Sequence, residues 1–303
     1  MRIAIFGSGG VGGYFGARLA AAGHDVHFIA RGAHLAAMRS RGLRVESTLG
    51  NVHVPQPQAH TDSAEIGAVD FVLFAVKLAD VASAAERLPP LLAERTRVLC
   101  FQNGVEAPEI VARVIGAKHV LPGVAYIATA IAEPGVVRHT GTMQRLQVGA
   151  AAEAFIEACK AAGITIEKVD DVERARWEKF VFLEALSGVT TLARAPVGVC
   201  RADPELRATL AAAMSEAWRV GRSRGVHLPD DFIAERLKFV DRLHADMRTS
   251  MQHDLEVGKP LEAPWLCGAV VRMCAETGLA APVNRTIYAA LKPYLHGSAR
   301  ATH

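Results

Sequence analysis

The chain has 303 residues, half of them hydrophobic, and its 34 lysines and arginines stand against 31 aspartates and glutamates for a formal net charge of +3. That length holds two domains with a sizeable core and excludes a disordered chain. The charges are scattered rather than gathered in a basic block, which leaves no footing for nucleic acid or a membrane surface but keeps an anionic small molecule open as a partner.

Ile3, Ile5 and Phe6 form a short apolar strand that runs directly into Gly7-Ser8-Gly9-Gly10-Val11-Gly12. In a G-x-G-x-x-G loop set between strand and helix, Gly7 permits the tight turn. Gly9 lets the backbone approach a pyrophosphate, and Gly12 lets the helix pack closely on the strand. Residues 11–22, rich in Ala and Leu, read as that helix, with its free first-turn N–H groups facing an anion and Gly23 as a left-handed cap. A second strand over 26–29 completes a βαβ unit. It ends Ala30-Arg31-Gly32, with no carboxylate where an NAD-selective protein holds the ribose 2′-hydroxyl. A guanidinium there suits a 2′-phosphate, so NADP(H) is the expected cofactor. The plainer reading of Arg31 is a solvated loop cation.

Residues 43–46 and 52–54 read as a small hairpin turning around Leu49-Gly50-Asn51, an insertion into the simple pattern. Continuous apolar runs over 71–76 and 97–101 are expected of parallel strands covered on both faces. They end in Lys77 and in Gln102-Asn103-Gly104, at the carboxyl ends of strands where ligands of open α/β sheets bind. Lys77 also reads as an exposed helix-start lysine, and Asn103-Gly104 as an ordinary turn. Strands over 121–130, 136–139 and 144–148, a helix over 151–162 and a last strand at 164–166 finish this half.

From Asp170 onward strand-like runs vanish and helical spacing takes over, as in 204–224 before Gly225 and 264–276 before Gly278. Two domains are expected, 1–169 and 170–303, packed closely with the site between them. Lys179 sits in a mostly apolar helix beside Trp177, Phe180 and Phe182; a desolvated lysine has a lowered pKa and donates a proton near neutrality, whereas a snorkelling lysine is the plainer reading. Ser250 and Asp254 lie one helical turn apart, and Glu262 precedes Ala263-Pro264 at a helix start, where the dipole alone also favours an acid. Cys100, Cys159, Cys200, Cys267 and Cys274 have no metal-ligand or C-x-x-C spacing and read as buried free thiols, with no disulfide or metal site expected. No charged leader with a cleavage site precedes the first strand and no apolar run has membrane-spanning length, so a cytoplasmic protein is expected.

Taken in order and type, the glycine loop, Arg31, Val76-Lys77, Asn103-Gly104, Trp177-Glu178-Lys179, Ser250-Met251-Gln252-His253-Asp254 and Glu262 resemble the ketopantoate reductase family, the 2-dehydropantoate 2-reductases, over nearly the whole chain. The resemblance implies an N-terminal Rossmann-like doubly wound α/β sheet and an all-α C-terminal domain like that of 6-phosphogluconate dehydrogenase. It implies NADPH-dependent reduction of a 2-oxo acid, 2-dehydropantoate to pantoate in pantothenate biosynthesis. Lys179 is then the catalytic proton donor. Gly7, Ser8, Gly9, Gly10, Val11, Gly12, Arg31, Lys77, Asn103, Ala128 and Glu262 hold the cofactor, and Asn103 and Ser250 contact substrate. A homodimer through apolar surfaces of the helical domain is the expected assembly.

The chain departs from the family pattern where asparagines follow the catalytic lysine: it has Leu183, Ser187 and Val197. Leucine offers no hydrogen bond to a carboxylate or hydroxyl, so the expected pocket is more apolar and the substrate is left open. Arg194 reads either as a replacement carboxylate ligand or as a surface cation. Reduction of a different small ketone or an imine, and a non-catalytic NADP(H)-binding sensor, are the alternatives; Lys179 together with Glu262 speaks against the sensor.

Overall fold

A computed structural model describes residues 1–297 of the chain and divides it into two compact units, Met1–Ala175 and Arg176–His303. The first unit is built on one mixed sheet. Its strands are β1 (Arg2–Phe6), β2 (Asp25–Ile29), β3 (Leu43–Glu46), β4 (Val52–Val54), β5 (Gln58–His60), β6 (Phe71–Phe74), β7 (Arg97–Cys100), β8 (Val120–Glu133), β9 (Val136–Val148) and β10 (Ile166–Lys168). Across the sheet they run β4-β3-β9-β8-β7-β6-β1-β2-β5, with β10 also paired to β9. From β5 to β8 every pairing is parallel, and β1 lies at the centre between β2 and β6, the Rossmann arrangement expected.

The local reasons are those read from the sequence. Ile3, Ala4, Ile5 and Phe6 are all buried, as a parallel strand covered on both faces requires. Helix α1 (Gly10–Ala21) buries Tyr14, Phe15 and Leu19 into the same apolar core as Ile3, Ile5 and Phe28. Gly23 ends it at φ +87°; its N–H donates to Ala20 O and that of His24 to Leu19 O, a left-handed cap that satisfies the last carbonyls. Helices α2 (Gly32–Arg41), α3 (Val81–Ala85), α4 (Ala107–Ile115) and α5 (Glu153–Ala161) complete this unit.

Four features differ from the expectations. The hairpin β3–β4 is no isolated excursion, because β3 pairs in parallel with β9 and extends the main sheet. The three-residue β5, which beds on β2, has no apolar signal of its own. The strands expected at 136–139 and 144–148 are one strand with a wide bulge: His139 faces Thr129 and Gln144 faces Ile127, so residues 140–143 stand opposite Ala128 alone. The last strand is displaced from 164–166 to β10.

The division between units falls in the first turn of α6 (Val172–Ala193), just past the expected boundary at 169–170. Thereafter come α7 (Val197–Ala202), α8 (Pro204–Ser223), α9 (Phe232–Arg242), α10 (Ser250–Glu256), α11 (Cys267–Glu276) and α12 (Pro282–Leu291), and no strand among the described residues. Asp203 caps α8, its carboxylate accepting from the N–H groups of Glu205 and Leu206 with Pro204 at the first helical position. From within α8 the Glu216 carboxylate accepts from the N–H groups of Val283 and Asn284, both at 2.9 Å, and so caps α12 in trans. The helix expected over 264–276 is broken at Leu266, where a 3-10 turn, Ala263–Trp265, gives way to α11. All five thiols are free and buried, as expected.

Candidate active site

The glycine loop joins β1 to α1 at the carboxyl end of the parallel strands. Gly7 holds φ +99°, and a Cβ there would lie 2.8 Å from Val76 N; at Gly12 it would lie 2.2 Å from Gly7 O, so helix and strand approach as closely as glycine allows. Gly9 has open space where its Cβ would be. The N–H groups of the first turn of α1, from Gly10, Val11 and Gly12, have no intrahelical acceptor, and no side chain caps them. Ser8 serves the loop itself: its hydroxyl donates to Ile29 O at 3.0 Å and its N–H to the same oxygen at 3.1 Å, which ties the turn to the end of β2.

Arg31, Lys77 and Asn103 follow β2, β6 and β7, so the sheet order sets them around the same carboxyl end as Gly7. Lys77 is exposed and opens the 3-10 turn Leu78–Asp80, in keeping with its plainer reading as well as with a ligand role. Ala128 is exposed at the β8–β9 bulge. Its neighbour Thr129 lies against the glycine loop: a Cβ at Gly10 would meet Thr129 O at 2.7 Å, and the buried Thr129 hydroxyl has no hydrogen-bond partner among the described residues.

Two residues of this region escaped the sequence reading. His34, on α2, accepts from Gly135 N–H through Nδ1 and donates from Nε2 to Ser8 O at 2.9 Å, so it pins the loop to the turn between β8 and β9. Burial holds its pKa below the ordinary histidine range, in keeping with that neutral tautomer. Asp80 accepts from Arg31 Nη2 at 2.7 Å. Only the sheet order brings these partners together, and no local pattern announces them.

In the helical unit, α6 presents Lys179 half-buried beside the buried Trp177 and Phe180, whose rings meet edge to face at 5.5 Å. Burial pushes the Lys179 ammonium down to about 8, and the Glu262 carboxylate opposes that fall. Lysine and glutamate, far apart in sequence, are thus electrostatic neighbours. Ser250 is the exposed first residue of α10, and Asp254 sits one turn later on the same helix. The start of α10 is fixed to α6: Thr249 caps it by accepting from Gln252 N–H, and the Thr249 and Thr190 hydroxyls are 3.0 Å apart.

Leu183 is half-buried, whereas Ser187 and Val197 are buried. Arg194 ends α6 at φ +53°, exposed, donating to the Tyr294 hydroxyl at 3.2 Å. Its exposure is in keeping with the plainer reading as a surface cation.

The family model for Ketopantoate reductase PanE/ApbA matches residues 3–153, and that for Ketopantoate reductase PanE/ApbA C terminal matches residues 171–295. The 2-dehydropantoate 2-reductase of Nostoc sp. (strain PCC 7120) is 29% identical over 311 residues, covering 99% of this chain and 96% of its own. The PanE/ApbA family ketopantoate reductase of Ralstonia eutropha JMP134 is similar in structure, with a TM-score of 0.89 at 34% identity over 96% of this chain and 97% of that one. A D-mandelate dehydrogenase, solved as a ternary structure with NADH and anilino(oxo)acetate, has a TM-score of 0.88 over 97% of this chain and 98% of its own. At 20% identity that likeness is one of fold alone.

Proposed function

The chain belongs to the ketopantoate reductase PanE/ApbA family, oxidoreductases acting on a CH–OH group, and from that premise we propose that it reduces a 2-oxo acid to the 2-hydroxy acid with NADPH. The substrate that the family favours is 2-dehydropantoate, which gives pantoate. The observation that carries this reading is Lys179 with its pKa brought to about 8 and Glu262 beside it. Bound NADPH supplies the hydride to the carbonyl carbon. As negative charge develops on the carbonyl oxygen, the Lys179 ammonium stabilises it and gives up a proton, leaving a neutral amine and the alcohol product.

The residues of the first unit fit the dinucleotide. Gly9 leaves room for a close backbone approach, the uncapped start of α1 offers its N–H groups to an anion, and the Thr129 hydroxyl is without a partner among the described residues. Arg31 is assigned to the 2′-phosphate, Lys77, Asn103, Ala128 and Glu262 to the rest of the cofactor, and Asn103 and Ser250 to substrate.

A second reading, reduction of a different small 2-oxo acid or ketone, is favoured by Leu183, Ser187 and Val197, which replace amide side chains with apolar or short ones. Oxidation of NADPH against a panel of 2-oxo acids, 2-dehydropantoate included, separates the two. In the Lys179→Ala variant we expect NADPH to bind nearly as before and turnover to fall about a hundredfold or more. Unchanged turnover there would remove Lys179 from the mechanism, and NADPH binding without oxidation by any acid of the panel would favour the sensor.

A further inference from the structure

The carboxylate missing from the end of β2 arrives from another strand. Asp80 closes the 3-10 turn after β6, and β1 separates β6 from β2 in the sheet, so the Arg31–Asp80 pair reaches across the carboxyl end of β1 where the glycine loop begins. The side chain of Arg31 is 72% exposed and that of Asp80 is 39% exposed. Among the described residues Asp80 is the ion-pair partner of that guanidinium, through one nitrogen and one oxygen. Among the described residues the other N–H groups of the guanidinium have no acceptor, which leaves room for a second anion on the same fork.

We propose that Asp80 is a specificity-determining residue for the dinucleotide: it shares Arg31 with the 2′-phosphate of NADP(H), repels that phosphate, and narrows the preference over NAD(H). The proposal rests on the reading of Arg31 as the 2′-phosphate ligand. A phosphate monoester brings about 1.5 to 2 negative charges beside a carboxylate held on the same guanidinium, and the repulsion subtracts from what Arg31 contributes. The 2′-hydroxyl of NAD(H) brings no charge. It donates a hydrogen bond that a carboxylate accepts, as acids at the end of the second strand do in NAD-selective proteins. An exposed ion pair of this kind holds weakly, so the guanidinium turns to an incoming phosphate at little cost.

The test is the dissociation constants of NADPH and NADH, read by quenching of tryptophan fluorescence on the full chain without substrate. Wild type, Asp80→Asn, Asp80→Ser and Arg31→Ala are compared at one ionic strength, with thermal melts to establish that each is folded. The Asp80 side chain makes no cap hydrogen bond to α3, so removing its charge spares the fold. Both Asp80 variants are expected to bind NADPH about tenfold more tightly and NADH no more tightly than wild type. Unchanged or weaker NADPH binding in both, with Arg31→Ala still losing NADPH far more than NADH, would overturn the proposal and leave Asp80 as a bystander or as the residue that aims the guanidinium. Equal losses of NADPH and NADH in Arg31→Ala would instead remove the reading of Arg31 on which the proposal stands.

Discussion

The desolvation of Lys179 was legible in the sequence because its reasons are local: three aromatic residues lie within one helical turn on either side. The lysine's partner was legible only as a helix-start acid, since nothing in the chain between them says that Glu262 returns to α6. The pairing has a measurable consequence. The proton-donating form is the ammonium, and with the pKa brought down to about 8 that form is lost above pH 8, so kcat for reduction should be level below that point and fall about tenfold per pH unit above it. The Glu262 carboxylate raises the lysine pKa, so Glu262→Gln should move the break to lower pH. A kcat profile with the break in the same place for both proteins would show that the carboxylate does not reach the ammonium. Arg31 and Asp80 teach the converse: the absence of an acid near Arg31 in sequence is no absence in space, because the sheet order leaves only β1 between β2 and β6 and lets the two side chains meet across its end.

At the scale of elements, β1, the glycine loop, α1 and β2 could be drawn from the sequence almost to the residue, since glycine punctuation and apolar runs act within a few positions. The β8–β9 bulge could not. Residues 140–143 carry turn signals that read as a break, and only the register with β8 shows the strand continuing past them with Ala128 opposite. The glycine loop also separates folding from binding. A Cβ at Gly12 would collide with the Gly7 carbonyl and lie 2.9 Å from Ile5 Cγ2, so Gly12→Ala should cost about 1–3 kcal/mol of stability as helix and strand are forced apart. Open space at Gly9 means that Gly9→Ala should melt like wild type and instead lose affinity for the dinucleotide. Thermal melts and a binding titration on both variants check this; a destabilised Gly9→Ala would contradict the distinction.

For the molecule as a whole, the least expected group is Glu184, fully buried in α6, neither of whose carboxyl oxygens meets a hydrogen-bond partner among the described residues. Burial, reinforced by the neighbouring Glu216 carboxylate, raises its pKa well above the usual carboxylate range. The folded state therefore holds a proton that the unfolded chain, titrating near 4.5, gives up. Stability should fall as pH rises from about 4.5 towards the raised value, by up to about 1.4 kcal/mol per pH unit. Glu184→Gln removes that dependence, so its gain in denaturant midpoint over wild type should be larger at pH 8 than at pH 5. Parallel pH dependences would mean that Glu184 is ionised in the folded protein.

The sheet has one more consequence, and it concerns solubility at high concentration. A wide sheet offers its two outermost strands to any chain that can extend it, yet here both are only three residues long, β4 at one margin and β5 at the other. Three residues give a stranger too few backbone partners to hold on to. The long strand β9, whose outer side would be the better template, has that side occupied by β3 at one end and β10 at the other, and between them the bulge bends the backbone out of line. The ten-stranded sheet is thereby guarded against joining its own copies edge to edge.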